Sequence, residues 1–160
     1  METSMTNPMD ALTSFQQALL DGEIQPQKGE LHDDLLVLVD HPRGVPRFTY
    51  ALTLQGQVIA AAIFVQADPI DGSPCFNAGY AVDLAHRSKG YGKAITQKAF
   101  AELTNGFKRT KMPHLYVEAI VSTSNEHSKK LAYDLFSNKP TPCTDGESGQ
   151  PALQYLKQLF

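Results

Sequence analysis

The sequence predicts an α/β (α+β) fold: an antiparallel meander that runs into a β-α-β unit, with amphipathic helices packed on the sheet. Three observations predict it. Residues 47–83 hold three strand-like stretches joined by short turns. A helix-period segment then connects the third stretch to another strand-like run over 114–121. Between the third strand and that helix lies a tight turn with two glycines, Arg87-Ser88-Lys89-Gly90-Tyr91-Gly92.

Composition bounds the rest. A chain of 160 residues, 42% hydrophobic and 19% charged, suits one globular domain over residues 1–160. A net charge of −3 is too mild to imply nucleic-acid or membrane binding. Cys75 and Cys143 lie far apart, and the five histidines have no metal-ligand spacing. No metal is therefore expected. The longest apolar run, 58–65, is too short to span a bilayer. The first residues lack the basic and apolar regions of a signal peptide, so a cytoplasmic location is expected. Whether the chain is a monomer or a homodimer is left open.

Residues 1–8 read as a frayed end. Residues 9–20 place Leu12, Phe15 and Leu19 on one helical face, and Asp21-Gly22 stops the helix. Residues 25–34 are polar and read as loop. Residues 35–39 read as a short buried strand, and 41–46, with two prolines and a glycine, as a turn. From Arg47, Phe48, Tyr50, Leu52 and Leu54 alternate with Thr49, Ala51 and Thr53, the mark of a half-buried strand. Gln55-Gly56-Gln57 turns the chain into 58–65, an apolar run that implies cover on both faces. After a loop over 67–74, residues 75–83 form the third strand, with Phe76, Ala78, Tyr80 and Val82 on one face.

The helix after the glycine turn repeats Tyr91, Ile95, Ala99 and Leu103 inward, and Lys93, Gln97, Lys98 and Glu102 outward. Asn105-Gly106 is expected to end it. The strand over 114–121 should lie parallel to 75–83 through a right-handed crossover. Ser122-Thr123-Ser124 offers N-caps for a helix over 125–136, with Ser128, Leu131, Ala132 and Leu135 inward. Residues 139–150 read as loop. For 152–160 a strand and a helical turn stay open.

The glycine turn carries the chemistry. It aims backbone N–H groups at a helix N-terminus, where the macrodipole adds roughly half a positive charge, and such a place binds phosphate. Arg87, Lys89 and Lys93 add charge. A dinucleotide fingerprint fails, because Ile95 stands where its third glycine belongs. A P-loop fails too, with Arg87 and Ala94 at its required positions. The plain alternative is a strand-to-helix turn that needed two glycines.

R-S-K-G-Y-G resembles the R/Q-x-x-G-x-G/A turn of the GNAT superfamily of acetyl-CoA-dependent N-acetyltransferases. A second stretch, V-E-A-I-V-S-T-S-N-E-H-S-K-K-L-A-Y-D-L-F, is similar to that family's strand followed by N-x-x-S opening a helix, with Asn125 and Ser128 in place. That stretch is nearest the branch that includes the ribosomal-protein N-terminal acetyltransferases, and the Gly79-Tyr80 pair before the glycine turn fits that branch too. The resemblance covers residues 48–136. It implies a GNAT-like mixed, mostly antiparallel central sheet, with a β-α-β acetyl-CoA-binding core and helices on both faces.

It further implies that the strand before the turn splays from its parallel neighbour. The exposed edge at Ala81, Val82 and Leu84 would bind pantetheine like another strand. Arg87, Ser88, Lys89, Gly90, Tyr91, Gly92 and Lys93 would hold the pyrophosphate, and Asn125 and Ser128 would touch pantetheine or adenosine. An amine, of a small molecule or a protein N-terminus, would attack directly. Glu118, a carboxylate in an apolar strand, matches a position some members use as base. Its plain alternative is a solvent-facing sheet residue. Many members carry a proton-donating tyrosine seven residues after the asparagine; here Ala132 stands there, and Tyr133 is turned about 100° away. A second function class, a non-catalytic acyl-CoA-binding sensor or interaction module, stays open, as does unrelated phosphate binding.

Overall fold

A computed structural model describes residues 7–146 and 148–160. Its sheet has eight strands: β1 (Gln27–Lys28), β2 (Leu35–Asp40), β3 (Arg47–Leu54), β4 (Gln57–Gln66), β5 (Cys75–Val82), β6 (Tyr116–Ser122), β7 (Thr141–Thr144) and β8 (Pro151–Gln158). They lie in the order β1-β2-β3-β4-β5-β6-β8-β7. Every neighbouring pair is antiparallel except β5 and β6, which are parallel. The helices are α1 (Pro8–Leu20), α2 (Tyr91–Lys108) and α3 (Glu126–Leu135).

Helices cover both faces, as expected. Leu12 and Phe15 of α1 pack on Ala51, Val58, Ala61 and Ala81. On the other face Ile95, Ala99, Phe100 and Leu103 of α2 pack on Tyr50, Leu52, Phe64 and Phe76. Val117 pairs with Phe76 in the parallel register and shares its face. Ala119 and Val121 follow on that face and meet Ala132 of α3, so α2 and α3 lie side by side. Phe100 and Phe136 join them edge to face at 5.1 Å.

The apolar run of β4 is buried from Val58 to Phe64, which bears out cover on both faces. The centre of β3 is buried on both faces too, where alternation had implied half-burial: Thr49, Tyr50, Ala51 and Leu52 all lie inside. The hairpin before β4 is a two-residue turn, Gln55-Gly56. Of the frayed end expected over residues 1–8, residues 1–6 lie outside the described residues. Asn7 caps α1 by accepting from the Met9 N–H at 2.9 Å.

Several expectations are corrected. The polar stretch 25–34 contains β1, and the loop 139–150 contains β7; each is a short edge strand held by its hairpin partner. For 152–160, where the sequence leaves a strand and a helical turn both open, the strand is found, as β8. Helix α2 continues through Asn105-Gly106 to Lys108, because its apolar face keeps contact there through Phe107. Glu102, read as an outward residue, is buried. Its carboxylate accepts the backbone N–H groups of Glu30, Leu31 and His32 and faces His32 Nδ1 at 2.9 Å. Lys98 bonds Asp34 beside it, so the β1–β2 loop is strapped across the middle of α2.

Candidate active site

Strands β5 and β6 pair over only three positions, Cys75 with Tyr116, Phe76 with Val117 and Asn77 with Glu118. Beyond them the strands diverge. The alternation of backbone bonds shows which groups the divergence leaves open. Asp83 N–H donates to Ile59 and Ala67 N–H to Cys75, so odd-numbered β5 residues turn to β4. Tyr116 N–H donates to Pro74, so the even-numbered ones turn to β6. Above Asn77 these are Ala78, Tyr80 and Val82. On β6 the odd residues serve β8, as Leu115 and Thr123 show, and Ile120 faces the opening. An extended amide chain could pair there as an added strand.

Two contiguous cavities fill this wedge. The inner one, about 230 Å³, lies between Ala78 and Tyr80 on one side and residues 119–122 on the other, with Phe64, Ala132 and Phe136 behind. The outer one, about 570 Å³, opens at the starts of all three helices: Pro8 and Met9, residues 90–93, and Asn125, His127 and Ser128. Arg87 and Lys93 line it, and no carboxylate among the described residues does. Its chemistry therefore suits an anion, and that of the inner cavity an apolar or amide-bearing chain.

The two glycines of the turn do different jobs. Gly90 is the N-cap of α2 with φ +84°, a left-handed conformation that any side chain would strain. With no side chain it leaves the first N–H groups of α2 without a side-chain cap. Ser88 is left-handed as well, at φ +63°. Gly92 is needed for contact. A Cβ there would lie 2.9 Å from Cε2 and 3.3 Å from Cδ2 of Tyr80. The absent side chain makes room for the Tyr80 ring and does not face the outer cavity alone. At the lip, His86 Nδ1 faces Asp83 Oδ2 at 2.9 Å, and Arg87 Nε donates to the Val82 carbonyl at 3.2 Å.

Asn125 is the N-cap of α3, its side chain accepting from the Ser128 N–H at 3.1 Å. Both residues line both cavities, so capping and facing the cleft coexist. Tyr133 is 54% exposed and turned from the wedge, as its helical position required.

Glu118 stands at the foot of the wedge, on the last paired rung. Its side chain is on the face opposite Val117, and so opposite α2 and α3. Asn77 Nδ2 and Gln154 Nε2 approach it at 3.4 Å each, and Cys75 Sγ at 3.8 Å. Burial, and then the Glu118 charge, push the Cys75 thiol up to about 12. Burial is likewise the first cause raising the Cys143 thiol, with Glu118 second.

Of the residues singled out from sequence, Ala81, Val82, Arg87, Ser88, Gly90, Tyr91, Gly92, Lys93, Asn125 and Ser128 meet at the outer cavity. Three do not line either cavity. Leu84 is 70% exposed in the short 3-10 turn Leu84–His86, beyond the end of β5. Lys89 is exposed on the outside of the turn. Glu118 lies below the cavities. Ala81 is corrected in another respect: its backbone serves β4, and the open edge belongs to Ala78, Tyr80 and Val82. Sequence reading gave no site role to Pro8, Met9, Ala78, Thr96 and Phe136, whose place at the cleft follows from packing across the chain.

Solved structures share this fold. An N-acetyltransferase from Staphylococcus aureus Mu50 matches with TM-score 0.51 at 16% identity, covering 99% of this chain and 81% of its own. YncA from Salmonella typhimurium, solved with its cofactor acetyl-CoA, matches with TM-score 0.53 at 20% identity over 73% of this chain and 66% of its own. An acetyl transferase from S. typhimurium that modifies the N-terminal serine of ribosomal protein L7/L12 matches with TM-score 0.50 at 18% identity, over 73% and 66%. The chain spans 60% to 66% of the length of the first solved relatives it matches. No curated protein sequence matches it. The sequence profile of the acetyltransferase (GNAT) family matches residues 12–133, which take in α1 from Leu12 onward, both glycines of the turn, strands β5 and β6 and Asn125. With most of the chain under that match, the protein belongs to the GNAT acetyltransferase family.

Proposed function

We propose that this chain, as a single acetyltransferase domain, moves the acetyl group of acetyl-CoA to a primary amine by direct attack. The observation that carries the reading is the wedge between β5 and β6, with an uncapped, cation-flanked helix start at its mouth. Residues 88–93 would hold the pyrophosphate through backbone N–H groups, with Arg87 and Lys93 adding charge. The pantetheine amides would pair with Ala78, Tyr80 and Val82. Asn125 and Ser128 would flank the arm. Acetyl-CoA supplies the activated acyl group, and no metal takes part in this reading.

The thioester then lies in the inner cavity. The amine comes from the foot of the wedge, where Glu118 takes its proton directly or through water. The backbone N–H groups of the open β5 edge stabilise the oxyanion. The acceptor is a small-molecule amine or a protein N-terminus, the latter supported by the relative that modifies a ribosomal N-terminal serine.

Calorimetric titration with acetyl-CoA, coenzyme A and ATP tests the binding half. Both coenzyme A species should bind and ATP should not compete. Release of the coenzyme A thiol in the presence of polyamines, amino acids, aminoglycosides and peptides tests the transfer half. Binding without transfer to any amine would overturn the enzymatic reading, and equal binding of ATP would overturn the cofactor assignment.

A further inference from the structure

Acetyl transfer, on the reading above, ends with a thiolate that needs a proton inside the wedge. We propose that Tyr80 is the general acid that supplies it. Among the described residues lining the inner cavity, Tyr80 is the sole titratable side chain. It also lines the outer cavity and so stands where the two meet.

The other proton carriers are placed out of use. Ala132 carries no proton, and Tyr133 beside it points to solvent. Tyr91 lines the outer cavity alone. The Thr96 hydroxyl donates to the Gly92 carbonyl at 2.8 Å, and the Ser122 hydroxyl lies 2.9 Å from that of Ser124. Acidity decides the rest. A phenol, with a reference pKa of about 10, is matched to a thiol of about 8.5, and an aliphatic alcohol such as Ser128 is far weaker.

The ring is also held in place. It sits so near the first turn of α2 that a Cβ on Gly92 would meet it at 2.9 Å. Its own backbone is on the open edge of β5, next to the groups assigned to pantetheine. An acid fixed on a strand, with its ring against a helix backbone, needs little reorganisation at the moment of reaction.

The step balances as follows. The amine nitrogen bonds the thioester carbon, and one N–H proton passes to Glu118. The C–S bond breaks with its electron pair going to sulfur. The Tyr80 O–H proton moves to that sulfur and gives the coenzyme A thiol. The phenolate regains a proton from water, and Glu118 releases its own, so amide and thiol are the net products.

Tyr80→Phe keeps the ring in its slot and removes only the proton. At saturating acetyl-CoA and neutral pH, kcat should fall about a hundredfold or more. The acetyl-CoA affinity by calorimetry should stay within about twofold, because only transition-state stabilisation is lost. In the wild type, kcat should fall at alkaline pH as the acid ionises, and this limb should vanish in the variant. The other titratable or charged groups around the cleft are Asp83, His86, Arg87, Tyr91 and Lys93 at the turn, His127 on α3, and Glu118 on β6 with Cys75 beside it. All are unchanged in the variant, so the lost limb reports Tyr80. A kcat within about threefold of an active wild type, or a loss of affinity that matches the loss of rate, overturns the assignment of Tyr80 alone. A wild type that binds acetyl-CoA and transfers to no amine overturns the transfer reading, and this one with it.

Discussion

The foot and the mouth of the same two strands behave in opposite ways. At the foot, residues 75–77 of β5 pair with 116–118 of β6, and Cys75, Phe76 and Val117 are among the most buried residues of the chain. At the mouth, residues 78–82 and 119–122 part, and backbone groups that would close a ladder face two cavities instead. Unpaired buried backbone is costly, so such an opening persists only when something else holds the strands apart. Here β4 holds β5 along its full length, and β8 holds β6 along its full length. Helices α2 and α3 prop the gap from one face. The lesson is that a site for an extended ligand can be made by stopping a sheet partway and bracing both edges from outside.

Changes at the mouth and at the foot should therefore separate binding from chemistry and from stability. The largest effect is expected from Gly92→Val. The new side chain collides with Tyr80 on the open edge, so the ring and the turn must move. Acetyl-CoA binding by calorimetry should fall beyond detection while circular dichroism still reports a folded sheet; retained affinity would show that Tyr80 is not wedged there. Next is Glu118→Gln at the foot. It keeps the shape and removes the base, and turnover should drop about a hundredfold at neutral pH with coenzyme A affinity steady. Full turnover in this variant would reject Glu118 as the proton acceptor.

Smaller is the alkaline loss of stability caused by Cys75. Its thiol is raised in the fold, so the fold favours the protonated form. That contribution is whole below the unfolded thiol's pKa, near 9, and is lost as pH rises from there towards about 12. Urea unfolding of the wild type between pH 8 and 11 should show this decline, and Cys75→Ala should flatten it. Lys89→Ala comes after that. The side chain lies outside both cavities, so coenzyme A affinity should fall only roughly twofold, the worth of an exposed charge. A large loss would mean that the turn closes over its ligand. The smallest effect belongs to Tyr133→Phe, which faces solvent. Its turnover should match the wild type, and a marked fall in rate would place α3 differently against the wedge.

Much of this was legible in the chain. The meander, the crossover, the glycine turn and the Asn125 cap are local matters: side-chain period, turn residues and capping groups within a few positions of one another. The two stretches that mark the family are local for the same reason, and they also carry most of the residues that meet at the outer cavity. The sequence also placed Glu118 in mid-strand and turned Tyr133 away from the cleft.

Only the tertiary structure decided the remainder. Edge strands β1 and β7 have too few apolar residues to announce themselves and exist through their partners. Glu102 reads as a solvent-facing helix residue until the β1–β2 loop, some 70 residues distant in sequence, brings three N–H donors to it. Gly92 reads as room for a ligand until Tyr80 is seen to need that room. Which edge of β5 is open, and at which residue β6 leaves it, depends on pairing between segments separated by a helix. Period and propensity act along the chain, whereas burial, partner and register are set across it, and the candidate site is built where those cross-chain contacts stop.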